Sequence, residues 1–197
     1  MSLGFVKSQY AIIDDGVEIG NNTKIGSFSQ ICRDAIIGQN CNIRNGVYIA
    51  SNARIGNNVT IGNNVSIYGG VSLQDYVYCG SNVVFINTAN PRIKAYDECK
   101  VLVKHGAVLG ANSTILNNLT IGEFAFIGAG TVVRNDVLPY AIMVGVPARR
   151  VGWMCVCGTK LKFTINFNIS ERHVANCKCG LKFMIKDDKC ILINSFD

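Results

Sequence analysis

The sequence predicts an all-β fold, a left-handed parallel β-helix of hexapeptide repeats, and three observations predict it. An aliphatic residue recurs every six positions, the residue four places later is small or β-branched, and Gly and Asn crowd the places between them. In hexads counted from Ile13, the first position reads Ile13, Ile19, Ile25, Ile31, Ile37, Ile43, Ile49, Ile55, Ile61, Ile67, Leu73 and Cys79. The phase holds through twelve successive hexads, residues 13 to 84. A helix is excluded, because its apolar period would be about 3.6 residues.

Each feature has a physical reason. A hexad is one short strand and a corner, and three hexads close a triangular coil. First-position side chains point inward and stack between coils, while parallel pairing between coils satisfies the backbone. Space narrows beside a corner, so the fifth position is small, as in Ala35, Cys41, Ala53 and Val59. Gly at the second position (Gly20, Gly26, Gly38, Gly56, Gly62, Gly80) and Asn at the third and fourth are expected to supply the positive φ of tight corners.

The pattern breaks after Phe85 and resumes in phase at Val103, so residues 86–102 are expected to leave the prism as a loop. Long loops in compact domains are usually functional. Six more hexads begin at Val103, Leu109, Ile115, Ile121, Ile127 and Val133. Pro139 and Gly145-Val-Pro-Ala148 then end the prism. The expected division is a β-helix over 1–149 and a Cys-rich β tail over 150–197.

Composition bounds the remaining classes. Of 197 residues, 49% are apolar and 16% charged, which fits a packed protein and not a disordered one. No apolar run approaches the roughly 18 residues of a membrane span. The N-terminus lacks an apolar signal core, so a cytoplasmic protein without a membrane partner is expected. The nine cysteines, an odd number, suit reduced thiols or metal ligands better than a disulfide framework. The net charge of +6 is scattered, which argues against nucleic acid and leaves room for an anionic small molecule.

The hexads resemble the left-handed β-helix acyltransferase superfamily. Ile127-Gly-Ala-Gly-Thr-Val-Val133, Pro139-Tyr-Ala141 and Gly145-Val-Pro-Ala-Arg149 look like its C-terminal signature. Asn63-Asn-Val-Ser-Ile-Tyr68, Cys79-Gly80, Val84-Phe-Ile-Asn87, Asn90-Pro-Arg92 and Gly152-Trp-Met-Cys155 narrow the resemblance to bacterial nucleotide-sugar 3-N-acetyltransferases. Among these are enzymes acting on UDP-2-acetamido-3-amino-2,3-dideoxyglucuronate and on dTDP-3-amino-3,6-dideoxyhexoses. The resemblance covers residues 10 to 155 and implies a homotrimer with active sites between adjacent prisms, acetyl-CoA as co-substrate and a role in lipopolysaccharide or O-antigen synthesis. Two positions depart from these relatives, which usually carry Thr at Ile86 and often Lys at His105.

The resemblance implies direct attack of a neutral sugar amine on the thioester, with the protein aligning the amine and stabilising the oxyanion. Asn87, where the chain leaves the prism, is the residue expected to orient the amine. Arg92 can pair with the diphosphate or a sugar carboxylate, and Asn64, Tyr68 and Glu98 are further substrate candidates. His105 has two readings, a general base or substrate contact, and an exposed corner histidine. CoA is expected along Gly110, Ala111 and Ala129, with the Gly110 amide as oxyanion donor and Arg134, Arg149 and Arg150 at its phosphates. A hexapeptide O-acetyltransferase and a non-catalytic scaffold are the alternatives; a hydroxyl nucleophile would need the base more than an amine does.

The tail carries Cys155-Val-Cys157-Gly and Cys177-Lys-Cys179-Gly, each leading into a similar run. Four thiolates can complete a tetrahedral structural zinc site, and a tail with so little core has use for one. The alternative is four unligated thiols in a β-hairpin tail.

Overall fold

The computed structural model describes residues 4–88, 92, 100–163 and 173–193. Strands mostly two residues long stack into three parallel faces. The first face holds nine strands from Val6–Lys7 to Arg149–Trp153, the second seven from Ile12–Ile13 to Val132–Val133, and the third six from Glu18–Ile19 to Leu119–Ile121. The protein is a left-handed parallel β-helix. No helix among the described residues is long and apolar enough to cross a membrane.

The register follows the hexads. Partners lie 18 residues apart in the lower coils, as in Thr60↔Tyr78, and 30 apart across the loop, as in Tyr78↔Val108. Twelve residues are therefore extruded, at the corner between the second and third faces. The chain re-enters earlier than expected: Val101–Val103 is already a strand paired with Val71–Leu73, so Val101 and Leu102 belong to the third face and not to the loop. First and fifth positions fill the core, with Ile31, Ile49, Ile61, Ile67, Val59 and Val65 fully buried.

The glycines have a different reason from the expected one. Positive φ belongs to the fourth position of the hexad, as at Asn22 (60°), Asn40 (57°), Asn58 (57°), Asn64 (58°) and Asn82 (58°). Second-position glycines are there for close approach. A Cβ on Gly62 would lie 2.4 Å from the Ser81 nitrogen and 2.6 Å from the Gly80 carbonyl carbon, and one on Gly20 would lie 2.4 Å from the Gln39 nitrogen. Coils stack too closely at these points for any side chain.

Aromatic residues also occupy fourth positions. At the corner between the third and first faces, Tyr76, Phe124 and Tyr140 all have positive φ, and their rings form a column with His105. Stacking along the column offsets the strain of a bulky residue in that region.

The prism ends in a hairpin: Arg149–Trp153 runs antiparallel to Ala141–Val144. The expected division at 149/150 falls inside this strand, which is hydrogen-bonded into the first face. A separate three-stranded antiparallel sheet, His173–Asn176, Lys182–Lys186 and Lys189–Ile193, follows.

Candidate active site

The predicted site residues fall on all three corners. Asn64, Gly110, Ala111 and Ala129 lie at the corner between the first and second faces. Tyr68, Asn87 and Arg134 lie at the corner between the second and third, where the loop leaves. His105 lies at the third corner. One prism alone cannot gather these residues round a single thioester.

At the first corner, three successive third-position amides are each satisfied by a side chain of the next coil. The Ser27 amide donates to Asn45 Oδ1 (3.0 Å), Asn45 to Asn63 Oδ1 (3.1 Å) and Asn63 to Ser81 Oγ (3.3 Å). The ladder ends there, because Ala111 and Ala129 bring no acceptor. The amides of Ser81, Ala111 and Ala129 consequently have no acceptor among the described residues. Backbone donors left open in this way can receive the amide carbonyls or the thioester oxygen of an acyl-CoA. Gly110, the oxyanion donor expected from the sequence, is not among them. The Gly110 amide is committed to the Ile127 carbonyl at 2.8 Å, because parallel pairing uses every second-position amide on this face. Asn64 is a rung of the corner ladder, its Nδ2 donating to Asn82 Oδ1 at 3.4 Å.

At the second corner, Asn87 is exposed where the loop begins, and its Oδ1 accepts from the Thr88 hydroxyl at 3.4 Å. Tyr68 is half-buried, its ring 6.2 Å from that of Tyr48. Arg92 is exposed, while Glu98 and most of the loop lie outside the described residues. The returning strand lines a groove on the third face, where Arg54 and Lys100 bring two cations to a cavity of about 380 Å³ beside Asn52 and Ser72. Sequence reading missed both cations. The 18-residue register would have placed Arg54 beside Ser72, but the loop hides the 30-residue step that brings Leu102 next.

Arg134 and Arg149, 15 positions apart, meet in one cavity of about 460 Å³ with Leu116, Met143 and Pro147. Two guanidinium groups and an apolar wall suit a phosphorylated ligand with an apolar portion. Arg150 does not join them. Adjacent residues of a strand face opposite ways, and its guanidinium lies 4.5 Å from the centre of the Trp153 ring and pairs with Asp188. That pairing holds the Asp188 carboxyl below its usual range.

His105 is packed rather than presented. Its ring lies 5.2 Å from that of Tyr76 and 5.3 Å from that of Phe124, and its amide donates to Gln74 Oε1 at 3.0 Å. It borders a cavity of about 490 Å³ with Arg54, Gln74 and Asp75. Asp75 is already an acceptor for the Asn57 amide at 2.7 Å.

Of the prism thiols, Cys41 and Cys79 are core groups, while Cys32 is half-buried. Burial pushes Cys79 up to about 12 and raises Cys41, which keeps both protonated and unreactive. The tail thiols differ. The sulfurs of Cys155, Cys157, Cys177 and Cys179 all lie within 4.8 Å of one another. The hydrogen bond between the Cys157 sulfur and the Thr159 hydroxyl, together with the Thr159 backbone, lowers Cys157 to about 6, whereas burial raises Cys155.

Known proteins resemble this chain along the same elements. The bacterial transferase hexapeptide (six repeats) profile matches residues 11–51, and that of the hexapeptide repeat of succinyl-transferase matches 52–84. The dTDP-3-amino-3,6-dideoxy-alpha-D-galactopyranose 3-N-acetyltransferase of Aneurinibacillus thermoaerophilus is 46% identical over 172 residues, 86% of each chain. The serine acetyltransferase of Haemophilus influenzae is 49% identical over 49 residues, 25% of this chain and 18% of its own. The crystal structure of AntD, an N-acyltransferase from Bacillus cereus in complex with dTDP and 3-hydroxybutyryl-CoA, shares 25% identity over 76% of this chain and 84% of its own, with a TM-score of 0.43. With nearly half its residues shared along 86% of both chains with the first of these, the protein belongs to the hexapeptide-repeat nucleotide-sugar N-acetyltransferases, acyltransferases of the left-handed β-helix class.

Proposed function

We propose that the protein transfers the acetyl group of acetyl-CoA to the 3-amino group of a UDP- or dTDP-linked amino sugar, in the cytoplasm, for bacterial surface polysaccharide synthesis. The observation that carries this reading is the 46% identity along 86% of both chains to an enzyme named for that reaction on a dTDP sugar. The neutral amine attacks the thioester carbonyl, the tetrahedral oxyanion collapses, CoA leaves as the thiolate, and the amine proton passes to it or to water. Asn87 aligns the amine, and Arg92 and the Arg54/Lys100 groove offer positive charge for the diphosphate. The open amides of Ser81 and Ala111 stabilise the oxyanion or hold pantetheine. Arg134 and Arg149 receive the CoA phosphates. A hydroxyl acceptor is the weaker reading, because the one prism histidine is held between two rings and away from Asn87.

The distribution of these residues over separate corners supports a cyclic homotrimer, in which one prism brings its second corner to the next prism's first. Light scattering at micromolar concentration is expected to give three times the chain mass; a monomer would refute the shared site. The four clustered thiols add a structural Zn²⁺ to the reading, separate from acyl transfer.

Incubating acetyl-CoA with a panel of UDP- and dTDP-linked 3-amino and 4-amino sugars, read by mass spectrometry, tests the substrate. Acetylation of 3-amino sugars only is expected; acetylation of 4-amino sugars only, or at a sugar hydroxyl in place of the amine, would overturn the reading. Arg149→Gln is expected to raise KM for acetyl-CoA about tenfold with kcat nearly unchanged, the loss of one charge-assisted hydrogen bond being worth roughly 1.5 kcal/mol. An unchanged KM would remove Arg149 from the CoA site.

A further inference from the structure

We propose that the zinc ion bound by Cys155, Cys157, Cys177 and Cys179 is a cross-link that ties the terminal three-stranded sheet to the end of the prism. The inference rests on the structural Zn²⁺ of the preceding reading and adds what that ion does.

The thiols fit the ion. Zinc–sulfur bonds of about 2.3 Å in a tetrahedron place sulfurs about 3.8 Å apart. Here Cys155 and Cys179 are 3.5 Å apart, Cys157 and Cys177 are 3.5 Å apart, and all four lie within 4.8 Å. A disulfide would bring a pair to about 2.05 Å. The two Cys-x-Cys-Gly turns also share one hydrogen-bond pattern. The Gly158 amide donates to the Cys155 carbonyl (2.9 Å) and the Cys155 amide to the Thr159 carbonyl (2.9 Å). Likewise, Gly180 donates to Cys177 (3.0 Å) and Cys177 to Leu181 (2.8 Å). Gly158 and Gly180 have φ of 80° and 94°, which lets each turn fold its two sulfurs to one side.

The two turns belong to different parts of the molecule. The first continues the strand Arg149–Trp153 and is held to the prism, with Met154 donating to the Tyr140 carbonyl at 2.7 Å. The second joins His173–Asn176 to Lys182–Lys186 in the terminal sheet. Among the described residues, the two parts also meet through apolar packing and one ion pair: Ala175, Phe183 and Cys190 are buried in the same core as Trp153 and Leu161, the Phe183 ring meets Tyr140 edge-on at 5.4 Å, and Asp188 pairs with Arg150 on the surface. A sheet this small has little core of its own and gains from further support. Four bonds to one ion, two from each turn, supply it.

The test uses the full chain purified without chelator. Elemental analysis is expected to give one zinc per chain, and exchange with Co²⁺ the intense thiolate-to-cobalt absorption of a tetrahedral site, both lost in Cys177→Ser. Trypsin then reads the cross-link at Lys178, Lys182, Lys186 and Lys189. After metal removal, and separately in Cys177→Ser, cleavage of the terminal sheet is expected to speed up at least tenfold while the prism stays intact. Zinc present with cleavage unchanged by its removal would overturn the cross-link and leave the metal site standing. Iron, two disulfides, or four titratable thiols without metal would overturn both. None of these outcomes bears on acetyl transfer.

Discussion

Gly62→Ala is expected to destabilise the protein by about 3 kcal/mol, although alanine ordinarily improves on glycine inside a regular element. The new methyl would meet the Ser81 nitrogen at 2.4 Å and the Gly80 carbonyl carbon at 2.6 Å, both backbone atoms of the next coil, so no side chain can turn aside. The coils must separate locally or a strand must shift register. For a chain of this size the melting midpoint should fall by about 6–12 °C. Gly130→Asn is the matched control. Gly130 has φ of 67° and open space where a Cβ would stand, and Asn occupies the equivalent corner place at Asn64, Asn82 and Asn112. Its effect is expected to stay within about 0.5 kcal/mol. Thermal unfolding of both variants decides the matter: a harmless Gly62→Ala beside a damaging Gly130→Asn would mean that second-position glycines serve backbone conformation and not stacking.

Asn87→Ala is expected to lower kcat/KM about a hundredfold, because misplacing a reacting amine is costly even where no proton is transferred. The variant should fold normally, since Asn87 is exposed. His105→Asn should keep most of kcat. It removes a ring lying 5.2 Å from Tyr76 and 5.3 Å from Phe124, so its cost is in stability, about 0.5–1.5 kcal/mol for each pair. The pH profile of kcat/KM should rise with one ionisation, that of the substrate amine, and keep it in His105→Asn. Loss of a true general base typically costs about 10²- to 10⁴-fold. A hundredfold fall in His105→Asn, with that ionisation gone, would make His105 the base and return Asn87 to the status of a corner residue.

Much of the architecture was legible from residue types. The hexad phase located the core residues from Ile25 to Val133 and the exit of the loop after Phe85. The spacing of the four tail cysteines anticipated a cluster the fold assembles. Legibility failed where meaning depends on the coil stacked above. Gly62 and Gly130 are both corner glycines in the sequence, yet one is crowded by the next backbone and the other only turns the chain. Gly110 and Ala111 are neighbours, yet pairing occupies the Gly110 amide and leaves that of Ala111 open. Arg149 and Arg150 look alike at the end of the prism, but strand alternation sends one into a cavity with Arg134 and the other to Trp153 and Asp188.

The sequence by itself determined the β-helix, the place of the loop and the set of thiols, because a period of six and paired Cys-x-Cys-Gly turns are local patterns that each constrain a few consecutive residues. Only the tertiary structure decided which donors remain open, which cations converge and which corner each candidate occupies. Those properties arise between residues 18 or 30 positions apart, where the loop changes the offset and the closeness of stacked coils decides which groups meet.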